Sequence, residues 1–240
     1  MTIRITHNQE ILARKFFEIG VFQRKKNSPD GKGFRLVYHE ENPDLPLSPF
    51  YFNFRTKDNP KTGPLDQETL AIVGKELALL ILDAGITADY ISGVPNAGDP
   101  IAKALCQTIK DSSSYPPFLV KPNYIQLIKH EKEGKREGVS VNNESIEIIE
   151  SGGLVLLVDD LITKAHSKMK AIEKLEEVGL EVFDILVIID RMQGGAEDLM
   201  KAGHRVSSIY TVHDLIYFYY REGLLSNKEY DEISRYLEIF

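Results

Sequence analysis

The sequence is short of several residue types, and each shortage excludes a class of protein. The 240-residue chain has one cysteine, Cys106, and no tryptophan. A single cysteine cannot form an internal disulfide, and no Cys/His cluster has the spacing of a zinc site, so a reducing compartment is expected. No apolar run reaches the roughly 18 residues that cross a bilayer, and the N-terminal residues lack the apolar stretch of a signal peptide. We therefore expect a cytoplasmic protein that has no membrane partner.

Positive charge is also scarce. The chain has 29 Lys plus Arg residues against 36 Asp plus Glu residues, which gives a formal net charge of -7. Nucleic acid is not an expected partner, because a nucleic-acid-binding domain carries a strong excess of positive charge. The length and the 42% hydrophobic content suit one large domain that buries a core without disulfides or structural metals.

Apolar runs that alternate with helical segments indicate the fold class. Residues 154–158, 182–189 and 206–212 are nearly continuous apolar runs, which are typical of strands buried on both faces of a parallel sheet. Helical patterns separate them. The sequence therefore predicts the α/β class, with a doubly wound, mainly parallel sheet flanked by helices.

The rest of the chain predicts how this core is completed. We expect a single domain over residues 1–240, with an N-terminal helix and a small hood lobe in residues 1–64 and the α/β core in residues 65–240. A long loop is expected over residues 129–153, with a β-ribbon at 145–149. Shorter strands are expected at residues 34–38, 50–54, 88–93 and 118–121. The spacings of Thr6 with Gln9 and Ser226 with Glu229 predict capping boxes at two helix starts.

One segment, VLLVDDLITKAHSK at residues 155–168, carries the chemistry. Its strand leads directly into two acids, Asp159 and Asp160, and then into a turn with Thr163 and Ser167 at the start of a helix. Ligands of open parallel sheets bind at the carboxyl ends of the strands. The N–H groups of a turn and of a helix N-terminus bind phosphate, and carboxylates accept hydrogen bonds from vicinal hydroxyls. The pattern therefore predicts a sugar phosphate as ligand.

This segment resembles the phosphoribosyl pyrophosphate (PRPP) signature of type I phosphoribosyltransferases. The resemblance implies that Asp159 and Asp160 bind the ribose hydroxyls and that the turn from Thr163 to Ser167 binds the 5′-phosphate. The turn departs from the family at Lys164, Ala165 and His166, where small residues are preferred. Lys164 adds a positive charge, and His166 is either a phosphate contact or an exposed histidine with no role.

Four further segments, in the same order along the chain, resemble the orotate phosphoribosyltransferase family. They are SPFYFNF (48–54), GVPNAGDPIA (93–102), KEGKREG (132–138) and IIDRMQGG (188–195). The first implies that Tyr51 and Phe52 lie near the base, and the last that Arg191 contacts the orotate carboxylate. The second resembles the pyrophosphate loop, with Gly93, Asn96, Ala97 and Gly98, and the third resembles a mobile catalytic loop (129–141) that carries Lys132 and Lys135.

The resemblance also implies a reaction. Orotate and PRPP would give orotidine 5′-monophosphate and pyrophosphate, a step of UMP synthesis. Mg²⁺ would be held mainly through PRPP and water, with no direct protein ligand, and the mobile loop would reach across a homodimer interface.

Two alternatives stay open at this point. The family's cations are absent at Ala97, Glu131 and Glu137, which favours a non-catalytic or regulatory protein that binds PRPP or a nucleotide. A phosphoribosyltransferase for another nucleobase is the other alternative. Cys106 is expected only to fill a helix face as a small buried side chain.

Overall fold

A computed structural model of the protein describes residues 5–36, 39, 42–113, 115–116, 119–132 and 135–239, with the backbone alone for residues 131, 132 and 135–137. The chain divides into two compact units. One comprises Met1–Asp66 with Val212–Phe240, and the other comprises Gln67–Thr211. We expected residues 212–240 to belong to the α/β core, whereas their contacts group them with the N-terminal residues. The assignment of the whole chain to a single domain stays a prediction.

The unit Gln67–Thr211 is built on a five-stranded parallel sheet. Its strands are β3 (Tyr90–Gly93), β4 (Tyr124–Ile125), β7 (Leu154–Ile162), β8 (Glu181–Asp190) and β9 (Arg205–Thr211), in the order β4-β3-β7-β8-β9. All four neighbouring pairs are parallel. The predicted α/β class and mainly parallel sheet are confirmed.

Helices cover this sheet because its central strands are apolar on both faces. The run from Val155 to Val158 in β7 is buried throughout, as expected for a strand between two layers. Helices α2 (Gln67–Ala84) and α3 (Gly98–Asp111) pack together, and α3 also packs on β3 and β7. On α3, Cys106 is buried, and this burial raises the pKa of its thiol to about 12, in agreement with a packing role.

Two more helices follow β7 and β8. Helix α5 (His166–Glu176) packs against β8, and α6 (Gly195–Lys201) packs against β9. The sequence predicted α5 but not α6, whose seven residues are too short for a clear helical period. Along the part of the chain that the structure describes, no helix is both long and apolar enough to cross a bilayer.

The segment between β4 and β7 differs from its prediction. Strands β5 (Leu127–Lys132) and β6 (Lys135–Val141) form an antiparallel hairpin where a loop was expected. The predicted β-ribbon at 145–149 is wrong, because Asn143–Ile146 forms a short helix, α4, capped by the side chain of Asn142. The predicted strand at 118–121 is wrong in its described part: residue Val120 forms one isolated bridge, and the strand lies further on, at β4.

The other unit is held together by aromatic side chains. Helix α1 (His7–Glu18) starts at the predicted Thr6 capping box, and α8 (Asn227–Leu237) starts at the predicted Ser226 capping box. Strands β1 (Phe22–Arg24) and β2 (Phe50–Phe52) pair antiparallel. Helix α7 (Val212–Arg221) presents Tyr219, which is fully buried and donates a hydrogen bond from its hydroxyl to the carbonyl of Ala13. The predicted strand at 34–38 reduces, in its described part, to one bridge between Phe34 and Ser48.

Candidate active site

Three neighbouring strands end at one edge of the sheet and lead into the segments singled out from the sequence. Strand β3 ends at Gly93, β7 at Ile162 and β8 at Asp190. Because the strands are parallel, their carboxyl ends meet at the same edge, which is where open α/β sheets bind their ligands.

The loop after β3 lies directly against the acids of β7. A Cβ on Gly98 would lie 2.5 Å from the carbonyl oxygen of Val158 and 3.1 Å from Oδ1 of Asp159. A Cβ on Gly93 would lie 2.6 Å from the backbone nitrogen of Asp99. Both positions therefore require glycine for close backbone approach, as the sequence predicted.

The same loop supplies few cations. Asn96 is exposed, and Ala97 is the N-cap residue of α3, where its side chain makes no capping hydrogen bond. The lysine of the first turns of α3, Lys103, forms an ion pair with Asp99 at 2.8 Å. Backbone N–H groups are consequently the main donors that this loop can offer to an anion.

The two acids at the end of β7 lie in different environments. Asp159 is 5% exposed, its Oδ1 accepts the N–H of Asp160 at 2.8 Å, and its Oδ2 forms an ion pair with Lys168 at 2.5 Å. Asp160 is only partly buried, and its Oδ1 accepts the N–H of Leu161 at 2.7 Å. Burial, together with the neighbouring Asp159 charge, raises the pKa of Asp160 to about 7, although Lys168 opposes the shift.

The turn after β7 opens onto the start of α5. Ala165 is the N-cap residue, and its carbonyl accepts the N–H of Met169 at 2.9 Å. The first N–H groups of an α-helix have no partner within the helix, and the helix dipole adds positive potential there. Thr163 is partly buried, whereas His166 and Ser167 are exposed. The turn can thus bind a phosphate through its backbone despite the departures at Lys164, Ala165 and His166.

Lys164 makes a contact that its sequence position does not suggest. Its Nζ donates a hydrogen bond to the backbone carbonyl of Gln193, in the turn after β8, at 2.7 Å. The Lys164 ammonium has three N–H donors, so this contact links two turns of the site and leaves its predicted contact with a phosphate a prediction.

The segment after β8 carries Arg191 into a buried position. Arg191 is 2% exposed, and its backbone N–H donates a hydrogen bond to the carbonyl of Ile162 at 3.0 Å, which fixes the start of this segment against the end of β7. Asp190 accepts the N–H of Met192 at 2.8 Å, and burial raises the pKa of Asp190. The predicted contact of Arg191 with an orotate carboxylate stays a prediction.

The remaining predicted site residues belong to the β5–β6 hairpin and to the other compact unit. Lys132 and Lys135 are cross-strand partners at the end of the β5–β6 hairpin, and their side chains lie outside the described residues, as do those of Glu131 and Glu137. In the other unit, Tyr51 is partly buried, stacks on Phe34 and accepts a hydrogen bond from Arg55 at 2.9 Å. The prediction that both Tyr51 and Phe52 lie near a base needs correction for Phe52.

Phe52 is a core residue. It is 1% exposed and packs against Phe22, Phe50 and Phe54 with ring centroids 5.4 to 6.0 Å apart. Successive side chains of a strand point to opposite faces, so Tyr51 and Phe52 cannot face the same ligand. Of the pair, only Tyr51 remains a candidate.

Sequence reasoning missed Lys168 as a member of the site. Helix α5 buries Lys168, Ala171, Ile172 and Leu175, the spacing of one helix face. The sequence signal that could have identified Lys168 is the presence of a lysine among the apolar residues of that helix face. Its partner Asp159 was already in the predicted set, but the contact itself depends on the path of the turn between them.

Comparison with known protein families identifies the chain as a phosphoribosyltransferase. Residues 65–218 match the family model for the phosphoribosyl transferase domain, and the chain belongs to that family. This agrees with the resemblance seen in the sequence.

Relatives and solved structures show which members of this family the chain resembles. The orotate phosphoribosyltransferase of Aquifex aeolicus is 28% identical over 152 residues, which are 63% of this chain and 75% of that protein. The structure of Leishmania donovani UMP synthase matches with a TM-score of 0.69 at 20% identity over 97% of this chain; the chain spans 42% of that structure, less than half its length. Orotate phosphoribosyltransferase from Aeropyrum pernix matches with a TM-score of 0.62 at 22% identity, over 90% of this chain and 99% of that one. At these identities the two structures show a shared fold.

Proposed function

We propose that the protein is an orotate phosphoribosyltransferase, which transfers the phosphoribosyl group of PRPP to orotate and releases pyrophosphate, within the synthesis of UMP. Family membership and the similarity to orotate phosphoribosyltransferases support this proposal. The reaction needs no covalent nucleophile. Departure of pyrophosphate leaves an oxocarbenium-like ribose that the orotate nitrogen attacks, so the protein must orient the reactants, exclude water and neutralise the leaving group.

The observation that carries the proposal is the contact of Gly98 with Val158 and Asp159. It joins the loop after β3 to the acids of β7, which in turn lead into the phosphate turn before α5. PRPP carries a pyrophosphate, two ribose hydroxyls and a 5′-phosphate. The three adjacent segments offer backbone donors, a carboxylate and a helix N-terminus, respectively, in an arrangement that suits those groups.

The proposed roles follow from this arrangement. Asp160 accepts hydrogen bonds from the ribose hydroxyls, and residues 163–167 bind the 5′-phosphate. Arg191 binds the orotate carboxylate. Lys132 and Lys135 reach the pyrophosphate when the hairpin closes over the site, which excludes water.

We further propose that the protein uses Mg²⁺ and that it forms a homodimer. Mg²⁺ prefers oxygen ligands and keeps several waters, and Asp160 is an oxygen donor beside the phosphate turn. The described residues contain no group of three or more His, Cys, Asp or Glu side chains arranged as a metal site. Most ligands of the ion would therefore be PRPP oxygens and water, and its charge would help to neutralise the leaving pyrophosphate.

We propose a cytoplasmic location on the basis of the single cysteine.

An assay with several bases tests the proposed function. Purified protein is mixed with PRPP and Mg²⁺ and with orotate, uracil, adenine or guanine, and pyrophosphate release is followed together with the loss of orotate absorbance. We expect turnover with orotate at least about a hundredfold faster than with the other bases. Turnover with another base in preference to orotate would identify a phosphoribosyltransferase of different specificity.

One observation favours a second candidate, a binding protein that uses PRPP or a nucleotide as a signal. Lys164 is tied to the Gln193 carbonyl, and the pyrophosphate loop has Ala97 where a cation is expected from the family resemblance. Ala97 supplies no positive charge, and the contact with Gln193 takes up one of the three N–H donors of Lys164. Thermal stabilisation by PRPP without pyrophosphate release would support this candidate.

A further inference from the structure

Lys168 is a buried cation next to the proposed ribose site. It is 3% exposed and lies on the apolar face of α5, in series with Ala171, Ile172 and Leu175. A buried ion pair adds little net stability, because the desolvation of its two charges offsets much of their attraction. The position of this charge therefore calls for a functional explanation.

The Lys168 ammonium has two close partners. Its Nζ lies 2.5 Å from Oδ2 of Asp159 and 2.5 Å from the carbonyl oxygen of Leu161. It thus joins the start of α5 to two residues of β7 that flank Asp160 on either side. The ammonium holds the side-chain carboxylate of Asp159 on one side of that acid and the backbone carbonyl of Leu161 on the other.

These contacts occupy Asp159. Its Oδ2 is paired with Lys168, its Oδ1 accepts the N–H of Asp160, and Gly98 covers it, so that the Asp159 side chain is 7% exposed. Asp160 is partly buried and has one oxygen on the N–H of Leu161. The pair predicted to share the ribose hydroxyls is therefore unequal.

We propose that Lys168 is a positioning residue of the phosphoribosyl site, and that by holding Asp159 and the Leu161 carbonyl it leaves Asp160 as the acid that binds the ribose hydroxyls. The identity of the ligand rests on the proposed function. In this assignment Asp159 does not contact the ribose. Its carboxylate instead holds Lys168, and thereby the turn after β7, in place.

The first test is Lys168→Met, which keeps the length of the side chain and removes its charge. We expect the Kd for PRPP with Mg²⁺, measured by calorimetry, to rise at least about tenfold, because a buried charge-assisted contact is lost. The KM for orotate should stay within about twofold. Lys170→Met is the matched control, since Lys170 is exposed on the same helix, and should bind PRPP like the wild type. Wild-type affinity in Lys168→Met would overturn the proposal.

The second test separates an anchor from a ribose ligand. If Asp159 acts only through Lys168, the double variant Lys168→Met/Asp159→Asn binds PRPP no more weakly than Lys168→Met alone, since the two residues act as a unit. An additional tenfold loss in the double variant would show that Asp159 contacts the ligand directly and would overturn the proposal. If Lys168→Met does not fold, the double variant, in which neither side chain keeps a charge, replaces it and must bind PRPP at least about tenfold more weakly than the wild type.

These measurements distinguish this proposal from the proposed function. PRPP binding involves no base, so the PRPP affinities of wild type and Lys168→Met can be compared even if the protein does not use orotate. Wild-type protein that binds PRPP but forms no orotidine 5′-monophosphate would count against the proposed function alone. Normal turnover by wild type with undiminished affinity in Lys168→Met would count against the Lys168 proposal alone. Failure of the wild type to bind PRPP would overturn both.

Discussion

Lys164 donates a hydrogen bond from its Nζ to the backbone carbonyl oxygen of Gln193, at 2.7 Å. The bond connects the turn after β7 with the turn after β8, two residues beyond Arg191. A lysine in the phosphate turn would ordinarily be assigned to the phosphate. We propose that its contact with Gln193 positions the segment proposed to bind orotate.

Lys164→Met tests that assignment. Loss of the hydrogen bond should loosen the segment after β8 and raise the KM for orotate about 3- to 10-fold, as expected for one partly exposed charge-assisted bond. The KM for PRPP should change less. Steady-state kinetics with each substrate varied in turn give both values, with Lys170→Met as the exposed control on α5. A rise confined to the KM for PRPP would indicate that Lys164 binds the phosphate and does not position the orotate segment.

Gly98→Ala should damage both stability and PRPP binding. The added methyl would lie 2.5 Å from the Val158 carbonyl oxygen, so the loop after β3 must move away from the acids of β7. We expect about 1 to 3 kcal/mol less stability by chemical denaturation and a PRPP affinity at least about tenfold lower. Gly138→Ala is the control for stability, because a Cβ at Gly138 meets nothing within 4 Å. An unchanged PRPP affinity would place the pyrophosphate elsewhere.

Asp160 should make the stability of the protein depend on pH. Burial and the Asp159 charge raise the pKa of Asp160 in the folded protein to about 7, whereas an aspartate in an unfolded chain has a pKa of about 4, so the native state binds the extra proton in this range. The free energy of unfolding therefore falls as the pH rises from about 4 to 7. Asp160→Asn removes this penalty.

We accordingly expect Asp160→Asn to match the wild type in stability below about pH 4 and to exceed it by roughly 1 to 3 kcal/mol at pH 8. Its PRPP affinity should fall sharply, because one of the hydrogen-bond acceptors becomes an amide. Urea unfolding of both proteins across the pH range gives the stability difference. A constant difference from pH 4 to 8 would show that Asp160 ionises normally.

Lys135→Ala should lower kcat more than it lowers PRPP binding. In the proposed reaction the hairpin brings Lys135 to the departing pyrophosphate, where removing one donor typically costs about 10² to 10³ in rate. The Kd for PRPP, measured without orotate, should rise only a few-fold. Lys170→Ala serves as a control for the loss of an exposed lysine. Normal turnover by Lys135→Ala would remove the hairpin from the mechanism.

Much of the sheet and the turn after β7 could be predicted because their signals are local. The strands that begin at Leu154 and Glu181 are recognisable as apolar runs. Thr6 and Ser226 cap helices through hydrogen bonds to residues only three positions further along the chain. Where the structure departs from prediction, the determining contacts are not local. Strands β5 and β6 carry many charged residues and are defined by pairing with each other.

The same distinction applies within the site. Asp159 and Asp160 look equivalent in the sequence, and only the packing of α5 on β7 gives Asp159 a lysine partner. Lys164 reaches a carbonyl 29 residues away in the chain. Phe52 and Tyr51 are separated by the pleat of one strand, and which of the two enters the core depends on the pairing of β2 with β1. The sequence identified candidate residues, and tertiary contacts show that their environments differ.

A sequential calorimetric titration tests the central claim most directly. Wild-type protein is titrated first with PRPP and Mg²⁺ and then with orotate, and the contents of the cell are analysed for orotidine 5′-monophosphate and pyrophosphate. We predict saturable PRPP binding, followed on addition of orotate by the heat of reaction and by both products in equal amounts. Absence of PRPP binding, or PRPP binding with orotate recovered unchanged, would contradict the account.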